Sequence, residues 1–550
     1  MRRQNKNRIL VLSLVMLLAL SLVAVGCPRP VEVVDPPVVV DPRVGGELVV
    51  LASSSPDILD PQATVMAISF WTFSHMLDTL TELGHNLEPV PHLAESWEMS
   101  EDGLTWTFHL RRGVRFHDGT PFNAEAVAFT LNRLVATGIG GRLPQLKETV
   151  VVDEYTVELR LTEPAPMFPF DLASDYIGML SPAAVEKYGE DFGILNMVGT
   201  GPFKFHEFIP GDRVVLVRNE EYTWGPAFVE NRGPAFLDRI VLKVIPEDMT
   251  RVMEFEDRVG RGEAVFMTAI PTGDVLRLKA DPAIQTITRP SPGAEMIWIN
   301  ITIWPFDDIR VREALIHAID TEAIIEFVMD GLAIPAITHL APSQIGYEHA
   351  IGPIKPVVRQ FDPERARQLF AEAGWLPGPD GILVHQETGT RAEFGLLSHP
   401  LRIPHTEVIK AQLREVGLDI RITILEPAAS VAKAREGEVE LFLISYGWPD
   451  VLRPLFYFHT DMIGGLNFAF FKNPQYDEMV DIAHTALDPE VRHAAMNEAL
   501  VFVMEHAIYV PMWHLEAFAM ATADVVGGME LLGAHPLWAL DIFALDLYIR

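Results

Sequence analysis

The stretch from Ala94 to Leu134 constrains the fold more than any other part of the chain. Over residues 104–110, Leu, Trp, Phe and Leu alternate with Thr and His, which is the period-2 pattern of a strand with one buried face. Glycine-containing turns at residues 102–103 and 112–113 bound this strand. The pattern therefore predicts a half-buried strand between two tight turns.

Two further elements are predicted after this strand. Val114 begins a second short strand with Phe116. Asn123 can cap a helix, because its side chain can accept a hydrogen bond from the first free amides. The apolar stripe of that helix consists of Val127, Leu131 and Leu134. We interpret these residues as scaffold that carries no chemistry.

The same stretch resembles the signature segment of the extracytoplasmic solute-binding proteins, family 5, of ABC importers for peptides and nickel. The matching residues are Ser96-Trp97, Asp102-Gly103, Thr105 to Leu110 and Gly113 to Pro121. Residues 306–318, 361–374 and 488–511 are similar to the family as well, so the resemblance covers nearly everything after residue 46. It implies an α/β fold of the periplasmic-binding-protein-like type II, with two lobes joined by a hinge.

The resemblance also implies an extra domain, which makes three domains in all. A chain of 550 residues is long enough for two or three cores. The limits that we expect are 47–86, 199–299 and 510–550 for a discontinuous domain I, 87–198 for an α+β domain II, and 300–509 for an α/β domain III.

The amino terminus is predicted to be a processing signal. Four basic residues precede an uncharged apolar run, Ile9 to Val25. Ala24-Val25-Gly26-Cys27 resembles the lipobox of bacterial lipoproteins, although an uncleaved signal anchor is the alternative. Cys27 is the only cysteine, so it cannot form an internal disulfide, and lipidation explains its position. We expect a signal peptide at 1–26, a Pro-rich tether at 27–46, and an extracytoplasmic protein whose lipid anchor is its only contact with the cell membrane.

The charge excludes some partners. The chain has 75 acidic and 43 basic residues and a net charge of −32. Such a surface repels nucleic acid and anionic headgroups, so neither is expected as a partner. The remaining expected partners are a small solute and the transmembrane subunits of an ABC permease, and we expect a monomer.

Helices and strands alternate after Asn300, as in an α/β domain with parallel pairing. Helices are predicted after Asp308, after Asp362, over 404–416 and after Asp488, and strands over 420–425 and 441–446. Earlier strands are predicted over 48–52, 214–217 and 240–245, with a hairpin over 150–161.

The recognised catalytic motifs are missing from the sequence. It contains no Gly-x-Ser-x-Gly elbow, no His-Glu-x-x-His and no Walker loop. We therefore expect that the protein is not an enzyme. His117-Asp118 lies in a turn, and the pairs His85/His92 and His399/His405 match no regular metal spacing. We therefore expect no cofactor and no resident metal.

The loop after the strand 441–446 is the best candidate for binding. In peptide-binding relatives the corresponding loop carries a Trp and an Asp that pairs with the α-ammonium of the ligand, and Trp448 and Asp450 match them. Arg453 replaces an acidic residue, and it could meet a ligand carboxylate or form a surface ion pair with Asp450.

Other residues are also expected to bind the ligand. They are Tyr446, Trp71, and, where the chain passes between lobes, Trp298, Asn300 and Trp513. Trp298 and Trp513 could equally be core aromatics.

These observations predict a substrate-binding lipoprotein of an ABC importer that captures a small solute between two lobes. A peptide is the first choice. An oligosaccharide or a metal chelate is the alternative within the fold, and a lipid-anchored secreted hydrolase is the alternative from another class.

Overall fold

The computed structural model describes residues 41–85, 87–137, 142–448, 450–529 and 544–550. The strands are β1 Glu47–Ala52, β2 Thr81–Leu83, β3 Pro89–Pro91, β4 Ala94–Met99, β5 Thr105–Leu110, β6 Leu146–Asp153, β7 Thr156–Leu161, β8 Phe203–Ile209, β9 Arg213–Arg218, β10 Arg239–Val244, β11 Val265–Met267, β12 Ile284–Pro290, β13 Gly293–Ile299, β14 Ala333–Pro335, β15 Trp375–Pro377, β16 Leu383–His385, β17 Glu393–Ser398, β18 Asp419–Ile424, β19 Leu441–Gly447, β20 Tyr509–Thr522, β21 Val526–Gly527 and β22 Tyr548–Ile549.

The helices are α1 Ala67–Ser74, α2 Ala124–Thr137, α3 Phe168–Asp171, α4 Pro182–Tyr188, α5 Asp248–Gly260, α6 Thr272–Lys279, α7 Ile309–Ala318, α8 Thr321–Met329, α9 Tyr347–Ile354, α10 Pro363–Glu372, α11 Ile403–Glu415, α12 Pro427–Arg435, α13 Pro474–Thr485 and α14 Pro489–Glu505. Short 3₁₀ helices connect several of them. Residues 43–550 form one compact unit, which contains every element named here.

One long strand, β20, connects two sheets. Its first part, Tyr509–Trp513, pairs with β13, and its second part, Glu516–Thr522, pairs with β12. The resulting path runs β18-β17-β19-β13-β20-β11-β1-β10-β9-β8, with β12 and β14 paired to β20 beside it. We call the part built on β1 and β8–β12, together with the four-stranded sheet β4-β5-β7-β6, lobe I, and the part built on β13, β14 and β17–β19 lobe II.

The chain passes between the lobes on two adjacent segments. The Ser291 amide donates to the Leu515 carbonyl at 2.7 Å, between the β12–β20 pairs and the β13–β20 pairs. Two extended segments that cross from one lobe to the other can absorb small changes of φ and ψ, as a hinge does. The three-domain limits expected from the sequence stay a prediction.

Of the strands and helices that the sequence predicts between residues 47 and 161, the structure contains all but one, and it adds β2, β3, β4 and α1, which were not predicted. The Asn123 side chain accepts a hydrogen bond from the Ala126 amide at 3.1 Å at the start of α2, and β6 and β7 form the expected hairpin. The short strand expected from Val114 is wrong, because only an isolated bridge between Arg115 and Pro121 forms there. The chain reverses at Gly119, whose φ is +84°, and this leaves no room for a ladder.

Lobe II is the α/β unit that the alternation of elements predicts. β17 pairs in parallel with β18 through α11, and in parallel with β19 on its other side. Asp308, Asp362 and Asp488 each accept a hydrogen bond from a backbone amide at the start of a helix, as expected.

Within the ranges that the structure describes, no helix is long and apolar enough to cross a membrane. Cys27, the expected signal peptide and residues 27–40 of the tether lie outside the described residues.

Candidate functional site

Three parallel strands of lobe II end at the same edge of the sheet. β17, β18 and β19 run in the same direction, so the loops that follow Ser398, Ile424 and Gly447 lie next to one another. Loops at the carboxyl ends of parallel strands are where α/β domains bind ligands. This edge is therefore the candidate binding face of lobe II.

The loop after β19 is held in place by Asp450. Its Oδ1 accepts hydrogen bonds from the amides of Leu452 at 2.7 Å and of Arg453 at 2.9 Å. These bonds cap the 3₁₀ helix Arg453–Phe458, and Pro454 in its first turn has no amide that needs a partner. Only 8% of Asp450 is exposed, and burial raises the pKa of its carboxyl above the ordinary value.

Trp448 and Arg453 form a stacked pair beside this carboxylate. The guanidinium carbon of Arg453 lies 4.8 Å from the centre of the Trp448 ring, and 38% of Trp448 is exposed. The Gln344 side chain donates to the Trp448 carbonyl at 2.7 Å, so a second loop of lobe II supports the first. The alternative of an Asp450–Arg453 ion pair does not form: within the described residues, Asp450 has no basic nitrogen within 4.0 Å. Arg453 therefore lies over the Trp448 ring and makes no ion pair with Asp450, although its charge acts to lower the pKa of that carboxyl.

Tyr446 precedes this loop on β19 and faces the same surroundings. Its ring stacks on Phe468 at 5.6 Å and tilts against Tyr457 at 5.9 Å. Burial, followed by the negative charge of Asp450, raises the pKa of Tyr457. Burial also raises the pKa of Tyr446, so both tyrosines stay neutral.

Lobe I meets this face of lobe II through an apolar cluster, which we call the crevice cluster. Ile345 of lobe II packs against it, and the Ile345 backbone forms a parallel bridge with Asp450. The lobe I members are Leu83, Leu87, Met167, Phe170 and Ala173. The loop after β19 consequently lies at the crevice between the two lobes.

A second carboxylate reaches the crevice from lobe I. Asp171 is the last residue of α3, directly after Phe170 of the crevice cluster, and the Gln145 side chain donates to its Oδ2 at 2.9 Å. Burial, followed by the negative charge of Asp450, raises the pKa of Asp171 to about 7, while Arg453 and Gln145 act in the opposite direction. Because Asp171 directly follows Phe170 of the crevice cluster and Ile345 of that cluster bridges to Asp450, the two carboxylates lie near each other on different lobes.

A buried ion pair lies beside the same edge of lobe II. The Arg402 guanidinium, which follows β17, donates to Oε2 of Glu295 on β13 at 2.7 Å, and the Glu295 side chain is 0% exposed. Burial, followed by the charge of Arg402, lowers the pKa of His405 to about 4 and also lowers that of His399. Both imidazoles are neutral at pH 7.

The structure brings four of the expected ligand-binding residues together, namely Tyr446, Trp448, Asp450 and Arg453, and places the other four elsewhere. Trp298 is 1% exposed and packs on Phe458 and Phe468 in the core of lobe II. Trp513 is 0% exposed and stacks on His405 at 5.0 Å.

The remaining two have local structural contacts. The Asn300 side chain donates to the Gly437 carbonyl at 3.0 Å and accepts from Thr302. Trp71 is half-buried on α1 in lobe I, with its ring 4.7 Å from that of His75. Neither Asn300 nor Trp71 contacts the loop after β19 through these interactions.

Sequence reasoning missed Asp171, Gln145, Glu295 and Arg402. Asp171 ends a four-residue helix and carries no motif, so nothing in the sequence marks it. Arg402 could have been found, because it follows the apolar run that forms β17 by four residues, in a loop at the ligand edge, but that strand was not predicted from the sequence. Among the described residues, no group of three or more His, Cys, Asp or Glu side chains could hold a metal ion.

Comparisons with known proteins agree with this architecture. The model of "Bacterial extracellular solute-binding proteins, family 5 Middle" matches residues 88–464. Heme-binding protein A of Haemophilus influenzae is 31% identical over 472 residues, which are 80% of this chain and 81% of that protein. Glutathione-binding protein GsiB of Salmonella choleraesuis is 30% identical over 482 residues, which are 85% of this chain and 88% of that protein.

Solved structures have the same fold. NikA from Brucella suis in complex with Fe(III)-EDTA superimposes with a TM-score of 0.77 at 25% identity, over 87% of this chain and 96% of that one. The periplasmic binding protein DppA from Helicobacter pylori in complex with the peptide STSA has a TM-score of 0.72 at 24% identity, over 92% and 98%. The fold is therefore the type II periplasmic-binding-protein fold, as expected.

The family and these relatives are binding proteins of ABC transporters and not enzymes, so the alternative of a secreted hydrolase falls away. Proteins of this kind act outside the cytoplasm. The match over residues 88–464, the two relatives and the shared fold lead to one conclusion: the chain belongs to family 5 of the bacterial extracellular solute-binding proteins.

Proposed function

We propose that this protein is a lipid-anchored receptor that captures a small solute with a cationic group, most simply a peptide with a free amino terminus, and delivers it to an ABC permease. The observation that carries the proposal is the Asp450 carboxylate, which is buried at the crevice with only one oxygen used by the protein backbone. A buried carboxylate without a basic partner is unfavourable, and a ligand ammonium would supply the missing charge.

The neighbouring side chains define the rest of the solute. The exposed part of the Trp448 ring can stack on an apolar side chain or on a sugar face. Arg453 can meet a carboxylate, since its guanidinium is not paired with Asp450. A zwitterionic molecule such as a short peptide would use all three groups, which is why a peptide is preferred over an uncharged oligosaccharide.

The names of relatives support the same class of solute. One relative is a glutathione-binding protein, and one structural neighbour holds the peptide STSA. Others bind heme or hold Fe(III)-EDTA, so a metal chelate remains the alternative within the family. A chelate with several carboxylates would have to pass Asp171 and Asp450, which repel it.

Closure of the lobes would couple binding to delivery. A solute held by lobe II gains further contacts with lobe I only when the crevice shuts, so its binding shifts the population towards the closed form. The two-strand connection at Ser291 and Leu515 provides the pivot. The permease would then recognise the closed form, and Cys27, once acylated, would keep the receptor at the membrane as a monomer.

Native mass spectrometry of protein purified from its own host tests the solute class directly. We expect a co-purified small molecule that carries an amino group and contains no metal. A bound oligosaccharide or metal chelate would contradict the peptide assignment. Release of a chemically altered molecule would contradict a receptor role altogether.

Two tryptophan variants then test the location of the site. We expect Trp448→Ala to weaken binding of the identified solute about tenfold with little change in thermal stability, because its ring is partly exposed at the crevice. Trp304→Ala is the matched control. Trp304 is 43% exposed, lies after the carboxyl end of β13 and packs on Trp375 at 5.4 Å, so its loss should leave affinity unchanged with a similarly small change in stability. The reverse pattern would place the site elsewhere.

A further inference from the structure

Two carboxylates that belong to different lobes lie near each other in this structure. Asp450 belongs to the loop after β19, and Asp171 ends α3 on the other side of the crevice. Phe170 packs in the crevice cluster with Ile345, whose backbone bridges to Asp450. If the lobes separate, the packing of Ile345 on the crevice cluster is lost, the Ile345–Asp450 bridge stays within lobe II, and the two carboxylates move apart.

The local charge is not balanced by the protein itself. The groups that face Asp171 are Asp450, the Arg453 guanidinium and the Gln145 amide. Within the described residues, neither carboxylate has a basic nitrogen within 4.0 Å, and Arg453 instead lies over the Trp448 ring. Two carboxylates and one guanidinium leave one negative charge in excess in the closed crevice.

We propose that Asp171 determines specificity: with Asp450 it forms a clamp of two carboxylates that holds one cationic group of the solute and keeps the empty lobes apart at neutral pH. This inference rests on the proposed function, because it assumes that a solute enters the crevice. An ammonium group has three donors, so it can serve an oxygen from each lobe at once. A cation held in this way would connect the lobes, whereas a cation at Asp450 alone would not.

The clamp makes closure without solute depend on pH, with a definite sign. In the open form Asp171 faces water, and we take its pKa to be the ordinary value of 3.8. Burial and the charge of Asp450 raise that pKa to about 7 in the closed form, so closing the empty crevice takes up a proton. The closed-to-open ratio should therefore be highest in acid, fall about tenfold per pH unit between about pH 4 and pH 7, and stay level above that.

Chemical cross-linking measures this ratio even when the closed form is rare. Ala173 and Ile345 belong to the crevice cluster but to different lobes, so cysteines at both positions should be joined by a short bismaleimide only in the closed form. The rate is measured at pH 5, 6, 7 and 8 in protein stripped of solute. It is compared between the parent pair and the same pair with Asp171→Asn, so that the pH dependence of the thiols cancels.

We expect the cross-linking rate of Asp171→Asn, divided by that of the parent, to grow about a hundredfold from pH 5 to pH 8. The rate of the parent falls as Asp171 loses its proton, whereas asparagine resembles the protonated carboxyl at every pH. Asp450→Asn, which can keep the cap with its amide oxygen, should also flatten the pH dependence. Glu186→Gln removes an exposed carboxylate of the same lobe and is the control, with an expected ratio of 1 throughout. A ratio for Asp171→Asn that does not change with pH, or that matches the control, would overturn the proposal.

A pair of peptides separates this inference from the proposed function. Tri-alanine has an amino terminus that N-acetyl-tri-alanine lacks, and at pH 8 only the former should raise the cross-linking rate of the parent. Asp171→Asn should reduce this preference about tenfold, the size expected for one charged hydrogen bond. A preference that survives Asp171→Asn unchanged would overturn the clamp and leave the receptor role intact. No response of the parent to either peptide would contradict the peptide assignment, and the pH series alone would then decide the clamp.

Discussion

Replacing Arg402 with alanine should destabilise lobe II strongly, because it leaves a carboxylate in the interior without its counter-ion. Glu295 is 0% exposed on the central strand β13, and the Arg402 guanidinium donates to it at 2.7 Å. Within the described residues, no second basic side chain forms an ion pair with Glu295. Arg402→Ala would thus remove the charge that compensates Glu295.

The expected loss follows from the geometry of the pair. Breaking a fully buried ion pair by removing one partner lowers the free energy of unfolding by about 3–5 kcal/mol. The Arg402 side chain keeps 13% of its surface exposed, so water reaches the site and the lower end of that range applies, about 3 kcal/mol. For a lobe of this size, such a loss lowers Tm by about 6–12 °C.

A second substitution separates the charge effect from lost packing. In the Arg402→Ala background, Glu295→Gln leaves no buried charge, so we expect the deficit to shrink to about 1 kcal/mol. Thermal unfolding of the parent, both single variants and the double variant at pH 7 gives the coupling between the two positions. If Arg402→Ala lowers Tm by less than 2 °C, or if Glu295→Gln does not restore it, the carboxylate is not held by this arginine.

Two further predictions concern backbone positions. Gly447→Ala should lower Tm by several degrees and also weaken solute binding, because its added Cβ would collide with the Gly293 Cα where β13 and β19 approach each other. Calorimetry and solute titration would check both effects, and an unaltered Tm would be inconsistent with that close approach. Asn123→Ala should lower the free energy of unfolding by about 1 kcal/mol through loss of the α2 cap, whereas Asn123→Asp should retain the cap; a denaturant series would reveal equal losses if capping is irrelevant.

Local patterns were sufficient to predict part of the scaffold, whereas strands such as β11, β12 and β17 were not predicted. Asn123 and Asp362 each precede a periodic apolar stripe, and each caps a helix in the structure. The apolar runs that became β1 and β19 were equally clear. The short strand predicted from Val114 does not form. The chain reverses at Gly119 and leaves a single bridge between Arg115 and Pro121.

The site was predicted only in part, because half of it depends on the approach of two lobes. The loop from Trp448 to Arg453 could be recognised, since it follows a predicted parallel strand. Trp298 was expected to bind ligand but lies in the core. Every residue of β13 is buried, as in a central strand covered on both faces, so a side chain on either face of this strand is a core residue. Asp171 is more than 250 residues from Asp450 in the sequence, and no local pattern predicts that closure brings them together.

The same local interaction that shapes the crevice loop prepares it for binding. Asp450 caps a 3₁₀ helix with one oxygen, and this fixes the direction of its carboxylate before any solute arrives. Gln344 and the Ile345 bridge hold the loop from the adjoining segment, so a cation meets an acceptor that needs little reorganisation. Asp171 has only Gln145 to hold it and lies on the other lobe, so its contribution to a cation depends on closure. Lobe II would therefore set whether a solute is captured, and lobe I would set which captured solutes let the crevice shut.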